Sequence, residues 1–364
     1  FSKLSLALMQ KQFPRTYSLL KKEIPQPRSI DEFRNTDIDL RATTPFEHYI
    51  SESILRLLPS SYLECFSDIQ RITNSIPDKV KLVFTANAHF SNDIFKIWFA
   101  NQTKHKDIKL LISSHGGALP SEFSSFTDHE EAVADTRVVW HSPLNKRQVR
   151  LPPNKYCGLK RSSQIRENKV TLIGLDLGRY SYGMQSGPAS SLMLPDFEQK
   201  KKFFECLVKN FNRKIGFYPA VTESWESKLR MSEFLDEEQI STYSNYNDAL
   251  QKSKLVICSY PQTTVSDALF AEVPFVLLYT EKYWTFPPHF DSLVEELRNA
   301  NIIFNDPILA AEHVNSIWNN PEEWWNSDDV HKAKQNFLDE IGLVSDNDIG
   351  EWHEFLSGEL QSQD

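Results

Sequence analysis

The strongest constraint on this chain is an alternation of short apolar runs and helical patterns. KVKLVFTA (79 to 86), DIKLLISS (107 to 114), KVTLIGLDLGRYS (169 to 181), KIGFYPA, LVICSY, PFVLLY and NIIF recur along it. Between them lie amphipathic stretches such as SNDIFKIWFANQTK, capped near Ser91 or Asn92, and helical patterns over 196–210, 264–271 and 291–300. Strands and helices in alternation with short connections predict parallel sheets covered by helices on both faces. The pattern breaks near residue 160, which predicts two such α/β domains. The expected division is 1–165, including a helical and irregular first stretch of 78 residues, then 166–340, then a helical segment over 341–364.

Ligands of parallel sheets gather outside the carboxyl ends of the strands. That directs attention to TANAHF, SSHGGALPSEF, GLDLGRYSYGMQSGP, YPAVTESW, SYPQTT and YTEKYW. In SYPQTT, Thr263 and Thr264 stand just before a helical pattern. A helix N-terminus leaves unpaired N–H groups and a partial positive charge, and two hydroxyls there add donors for a phosphate. A simple N-cap by either threonine is the competing expectation. In SSHGGALPSEF, His115, Gly116 and Gly117 follow a strand, and the glycines let backbone approach a ligand closely. The pair is not GxGxxG, and GxxxxGK[ST] is also absent, so neither a dinucleotide fingerprint nor a phosphate loop is present.

The 364 residues carry a net charge of −9, which argues against a general nucleic-acid binder. No signal peptide is evident, and no apolar run is long enough to span a bilayer. Cys65, Cys157, Cys206 and Cys258 show no CxxC spacing, so reduced thiols and a cytoplasmic setting are expected. His115, His129 and His289 are scattered without HExxH or paired ligand spacing, and no metal site is expected. Arg179 could clamp a carboxylate or phosphate through its planar fork, or serve as a structural pair. Asp196 is expected to open a helix, where the dipole favours a carboxylate, and an N-cap role is the alternative. Glu122, Glu130 and Glu131 supply further carboxylates, and two carboxylates flanking a sugar carbon are what glycosyl chemistry requires. Most tryptophans read as packing, but Trp284, beside Glu281 and His289, is expected near a base or sugar.

Five segments in this order resemble the retaining β-Kdo transferase modules of bacterial O-antigen synthases. They are FTANAHFSNDIFKIWFA, HGGALPSEF with HEEAVADTRVVW, DLGRYSYGMQSGP, SYPQTTVSDALFAEVPFVLLYTEKYW and NIIFNDPILAAEHVNSIWNNPEEWW, spanning about 79 to 345. The resemblance implies a modified GT-B architecture, two Rossmann-like domains with parallel sheets facing across a cleft, with the acceptor on the N-terminal side. It implies CMP-β-Kdo as donor, no cofactor or metal, and transfer to a surface glycan with retention through a covalent aspartyl–Kdo adduct. Carried onto this chain, the nucleophile is Asp196 and the partner acid Glu122. Asp176, at the end of the preceding strand, competes for the nucleophile's role. Arg179 or the Ser186–Gly187 amides would hold the Kdo carboxylate, and Thr263 and Thr264 the CMP phosphate. Gln262, Glu281 and His289 would contact ribose, phosphate or cytosine. YPQTT stands where related transferases often have HPGTT, and HGGALPS lacks a third glycine. A GT-B transferase of a UDP- or GDP-sugar, or a non-catalytic glycan-binding domain, therefore stay open. The implied setting is the cytoplasmic face of the inner membrane, reached indirectly, with further catalytic modules possible in the same polypeptide.

Overall fold

The computed structural model describes residues 23, 25–27, 29–36, 38–76, 80–104, 107–116, 125–159, 166–175, 193–212, 214–219, 225–240, 245–341 and 345–362. The contacts divide the chain into two compact units, one of them Ser114–Phe355 and the other the described residues up to Ser113 with those from Leu356 onward.

In the smaller unit, helix α1 (Pro45–Leu57) is started by a capping box, with the Thr44 hydroxyl and the Glu47 carboxylate reciprocally bonded to backbone. Strand β1 (Leu82–Thr85) pairs in parallel with β2 (Lys109–Ser113), Leu82 opposite Lys109 and Thr85 opposite Ile112. Helix α2 (Asp93–Thr103) joins them, and its N-cap is Asn92, whose side chain accepts from Phe95 N–H at 3.0 Å. Ile94 and Ile97 on α2 are buried against Ile69 of the helix Phe66–Asn74 and against Cys65 at its N-cap.

The larger unit opens with helix α3 (Ser125–Val133), then β3 (Thr136–Val139) paired in parallel with β4 (Gln148–Arg150). A five-stranded parallel sheet follows: β5 (Glu167–Ile173), β6 (Ile215–Tyr218), β7 (Ser253–Cys258), β8 (Phe275–Leu278) and β9 (Ile303–Phe304), in the order β6-β5-β7-β8-β9. The helices interleaved with it are α4 (Met193–Cys206), α5 (Tyr246–Lys252), α6 (Thr263–Phe270), α7 (Asp291–Asn299), α8 (Pro307–Ile317) and α9 (Asp328–Ile341).

Successive strand residues point to opposite faces, and here each face has its own core. Ile173, Val256, Cys258, Phe275 and Leu277 pack with Ala268 and Leu269 of α6, Val294 and Leu297 of α7 and Phe337 of α9. Val170, Leu172, Leu255, Ile257, Val276 and Leu278 pack with Phe197, Phe203 and Phe204 of α4 and Val314 of α8. Both faces are buried, which explains why these strands read as continuous apolar runs rather than alternating ones.

Two expected elements differ. Helix α4 begins at Met193, not at 196, so Asp196 sits inside the first turn and does not open the helix. The helix expected near 226 to 235 is only Ser227–Met231, followed by a single 3-10 turn at Glu237–Gln239. All four cysteines are free thiols, and among the described residues no helix is long and apolar enough to cross a membrane.

Where β5 ends, Gly174 lies directly against the neighbouring strand's aromatic residue. A Cβ on Gly174 would sit 2.5 Å and 2.7 Å from ring atoms of Phe217, a side chain buried in the core. Gly174→Ala is expected to destabilise the fold by about 1–3 kcal/mol through overpacking, read as a lower urea midpoint. An unchanged midpoint would mean that the Phe217 ring can move aside without loss.

Candidate functional site

The carboxyl end of β7 leads straight into the turn that the sequence singles out. Ser259 is buried, and its Oγ donates to the Ile173 carbonyl of β5 at 3.0 Å, tying the two strand ends together. The chain then passes through Tyr260 and Pro261 to Gln262, which occupies the N-cap of α6 without a side-chain capping bond. Neither threonine is therefore the N-cap; they are the first two residues of the helix itself. The two have different surroundings. Thr264 is 2% exposed and its hydroxyl donates to the Tyr260 hydroxyl oxygen at 2.8 Å. Thr263 is half-buried, and its Oγ1 faces the backbone of Gly116 so closely that a Cβ on Gly116 would lie 2.7 Å from it. Gly116 and the first turn of α6 thus meet at one place, and His115, next to Gly116 in the chain, is exposed.

Three residues beyond Thr264, Asp267 gathers donors from separate parts of the chain. Its Oδ1 accepts from Lys155 Nζ and from the Tyr156 hydroxyl, each at 2.6 Å, and its Oδ2 accepts from the Tyr246 hydroxyl at 3.0 Å. Burial pushes the phenols of Tyr156 and Tyr246 upward, and that of Tyr260 up to about 12, so all three stay protonated at neutral pH.

On α4, Asp196 is 5% exposed and forms an ion pair with Lys200 one turn on, itself 1% exposed. The Lys200 ammonium also lies over the Phe197 ring, 5.4 Å from its centroid. Burial pushes the Asp196 carboxyl above its ordinary range, and Lys200 pulls against that rise.

A family model described as LIC12162 family transferase matches residues 1–356. The chain belongs to the LIC12162 family of transferases. Its described strand pairings are all parallel, the α/β pattern that the sequence predicts. No curated protein matches the transferase in sequence. Among solved structures it is similar to TarM, at 10% identity and a TM-score of 0.46, over 78% of this chain and 56% of TarM. It is also similar to the glycosyltransferase of kitacinnamycin (12% identity, TM-score 0.44, 84% and 85% covered). A third is WaaG, a glycosyltransferase involved in lipopolysaccharide biosynthesis (13% identity, TM-score 0.39, 78% and 86% covered). The transferase therefore spans little more than half of TarM's chain.

The structure brings Gly116, Gln262 and Thr263 of this transferase together. Glu281 is ion-paired with Arg298, which also holds Glu295 at 3.1 Å. His289 is exposed on a 3-10 turn with its ring 6.0 Å from that of His141. Trp284 is not open to a base or sugar: it belongs to the buried core, its ring 6.4 Å from Tyr260, because an indole beside the strand ends is worth more packed than solvated. Glu130 and Glu131 are held by Arg137, a structural cluster on α3 and β3. Glu122, Asp176, Arg179, Ser186, Gly187 and Gly117 lie outside the described residues. Among the described residues no group of three or more His, Cys, Asp or Glu is set to hold a metal ion. Lys155, Tyr156, Tyr246 and Asp267 were not expected, since their partnership joins remote positions and leaves no local pattern.

A buried ion pair is tolerated only while both partners are present. Lys200→Met is expected to cost about 3–5 kcal/mol in urea unfolding by stranding the Asp196 carboxylate, and adding Asp196→Asn should recover most of that loss. Equal stability of Lys200→Met and wild type would show that the carboxylate finds another partner.

Proposed function

We propose that this transferase is a glycosyltransferase that takes Kdo from CMP-β-Kdo and passes it, with retention, to a bacterial surface glycan. The observation that carries this reading is the meeting of Gly116 with Thr263 at the first turn of α6, beyond the carboxyl end of β7. Bare backbone and the Thr263 hydroxyl face each other there, beside helix N–H groups suited to an anion. Membership of a transferase family and the ordered motifs that resemble β-Kdo transferases support it.

In this reading residues 166–340 receive the donor, residues 1–165 the acceptor, and 341–364 form a helical close. Thr263 and the N–H groups of the first turn of α6 take the CMP phosphate, with Thr264 bracing the turn through Tyr260. Arg179 and the Ser186–Gly187 amides take the Kdo carboxylate, and Gln262, Glu281 and His289 the ribose, phosphate or cytosine. His115, Gly116 and Gly117 form the loop over the sugar. A carboxylate oxygen of Asp196 bonds to the anomeric carbon as the bond to phosphate breaks, and CMP leaves with the electron pair. Glu122 then takes the proton of the acceptor hydroxyl as that oxygen attacks the same carbon, releasing Asp196. Two inversions leave the configuration retained. No metal or cofactor takes part, and the reaction runs at the cytoplasmic face of the inner membrane.

Intact-protein mass spectrometry after mixing the chain with CMP-Kdo and no acceptor tests this directly. The expected result is a mass gain of one Kdo that maps to Asp196 after digestion and is absent from Asp196→Asn. The same adduct mapped to Asp176 would keep the function and move the nucleophile. Absence of any adduct, with a UDP- or GDP-sugar hydrolysed instead, would sink the Kdo assignment.

A further inference from the structure

Helix α6 carries Thr263 and, one turn further along the same side, Asp267. Asp267 is 7% exposed, and a carboxylate so placed must be met by hydrogen bonds or charge. The groups that meet it come from two segments remote in sequence. Lys155 and Tyr156 belong to the stretch between β4 and β5, and Tyr246 is the first residue of α5. Each partner is itself anchored. The Tyr156 ring stacks on Phe270, the last residue of α6, with centroids 4.5 Å apart and planes within 14°. The Tyr246 ring lies 6.1 Å from that of Tyr218, where β6 ends. The Thr264 hydroxyl adds a fourth tie, to Tyr260.

Hydrogen bonds to a charged acceptor are roughly twice as strong as neutral ones. Three of them on one side chain, arriving from different directions, fix both the rotation of α6 about its axis and its height above the sheet. Among the described residues Thr263 is given no such set of ties, so its place follows from the helix that carries it.

We propose that Asp267 is a positioning residue for donor binding. It does not touch the donor; it holds α6 so that Thr263 and the first-turn N–H groups stand where a nucleotide phosphate is received. This rests on the reading of Thr263 given above.

The test is isothermal titration of the full chain with CMP, UDP and GDP in turn, the nucleotide bound by wild type serving as probe. Asp267→Asn should weaken binding about tenfold, and Tyr246→Phe and Lys155→Met, each lacking one donor, about threefold. With the matching sugar nucleotide, KM should rise by similar factors while kcat changes by less than about twofold, the signature of lost binding rather than lost chemistry. A merely structural tie would lower the melting temperature and leave nucleotide affinity alone. Should Asp267→Asn fail to fold, the other two variants decide, because Lys155 is partly solvent-exposed and Tyr246→Phe preserves shape. Binding within twofold of wild type in all folded variants, while Thr263→Ala binds weakly, would overturn the role of Asp267 and keep that of Thr263. If Thr263→Ala also binds normally, or wild type binds none of the three nucleotides, the donor reading itself fails and the inference with it.

Discussion

Parallel pairing is the constraint on which the larger unit depends. A strand that pairs in parallel with its neighbour must return by a crossover, and the crossover must cover a face of the sheet. In the order β6-β5-β7-β8-β9, every described pairing is parallel, so all the strands deliver their carboxyl ends to one edge. Leu175, Tyr218, Ser259 and Tyr279 leave the sheet along that edge. The side chains with chemical potential in this unit collect there for the same reason that both faces are apolar. Helices occupy the faces, and the edge is what remains for polar residues.

Two buried carboxylates show two solutions to one electrostatic problem. Asp196 is neutralised locally by Lys200, a turn away on the same helix, so the pair travels with α4. Asp267 is met by three donors from two remote segments, Lys155 supplying the opposite charge, so the same desolvation cost is converted into tertiary specificity. A pair met locally is neutralised within its own helix, whereas a carboxylate met from remote segments loses a tertiary contact with each donor removed. The asymmetry suits a helix that has to present a particular residue at a particular place.

The sequence made the strands legible because burial on both faces writes itself as unbroken apolar runs: PFVLLY became β8 and LVICSY became β7. The N-cap at Asn92 was legible because capping is a local rule. The start of α4 was not, since Met193 and Leu194 before Pro195 carry no cap signal and the helix simply extends to bury Met193. At the site, SYPQTT and HGG were legible as features, but nothing local said that Gly116 would lie against Thr263. Trp284 misled for a related reason. A residue near a strand's carboxyl end has the right address for a ligand, yet whether it faces solvent or the core is decided by partners such as Tyr260, which are remote in sequence. Asp267 was missed because a carboxylate inside an apolar helical pattern reads as an exposed position until its donors are known.

The two threonines of SYPQTT end with unequal parts, and the inequality narrows the site. Had both hydroxyls been open, the first turn of α6 would offer two donors on adjacent residues, roughly 100° apart around the helix, and an anion could not satisfy both from one direction. Burial of Thr264 against Tyr260 removes one choice. Thr263 is left on the side approached by Gly116, where any larger residue at 116 would press on its hydroxyl. In the proposed reading a ligand entering there would meet, among the described residues, one hydroxyl, the N–H groups of one turn and the backbone of Gly116. That combination discriminates by shape and charge rather than by number of donors. It therefore depends on α6 being held still, which the ring of donors around Asp267 accomplishes from the same side of the helix.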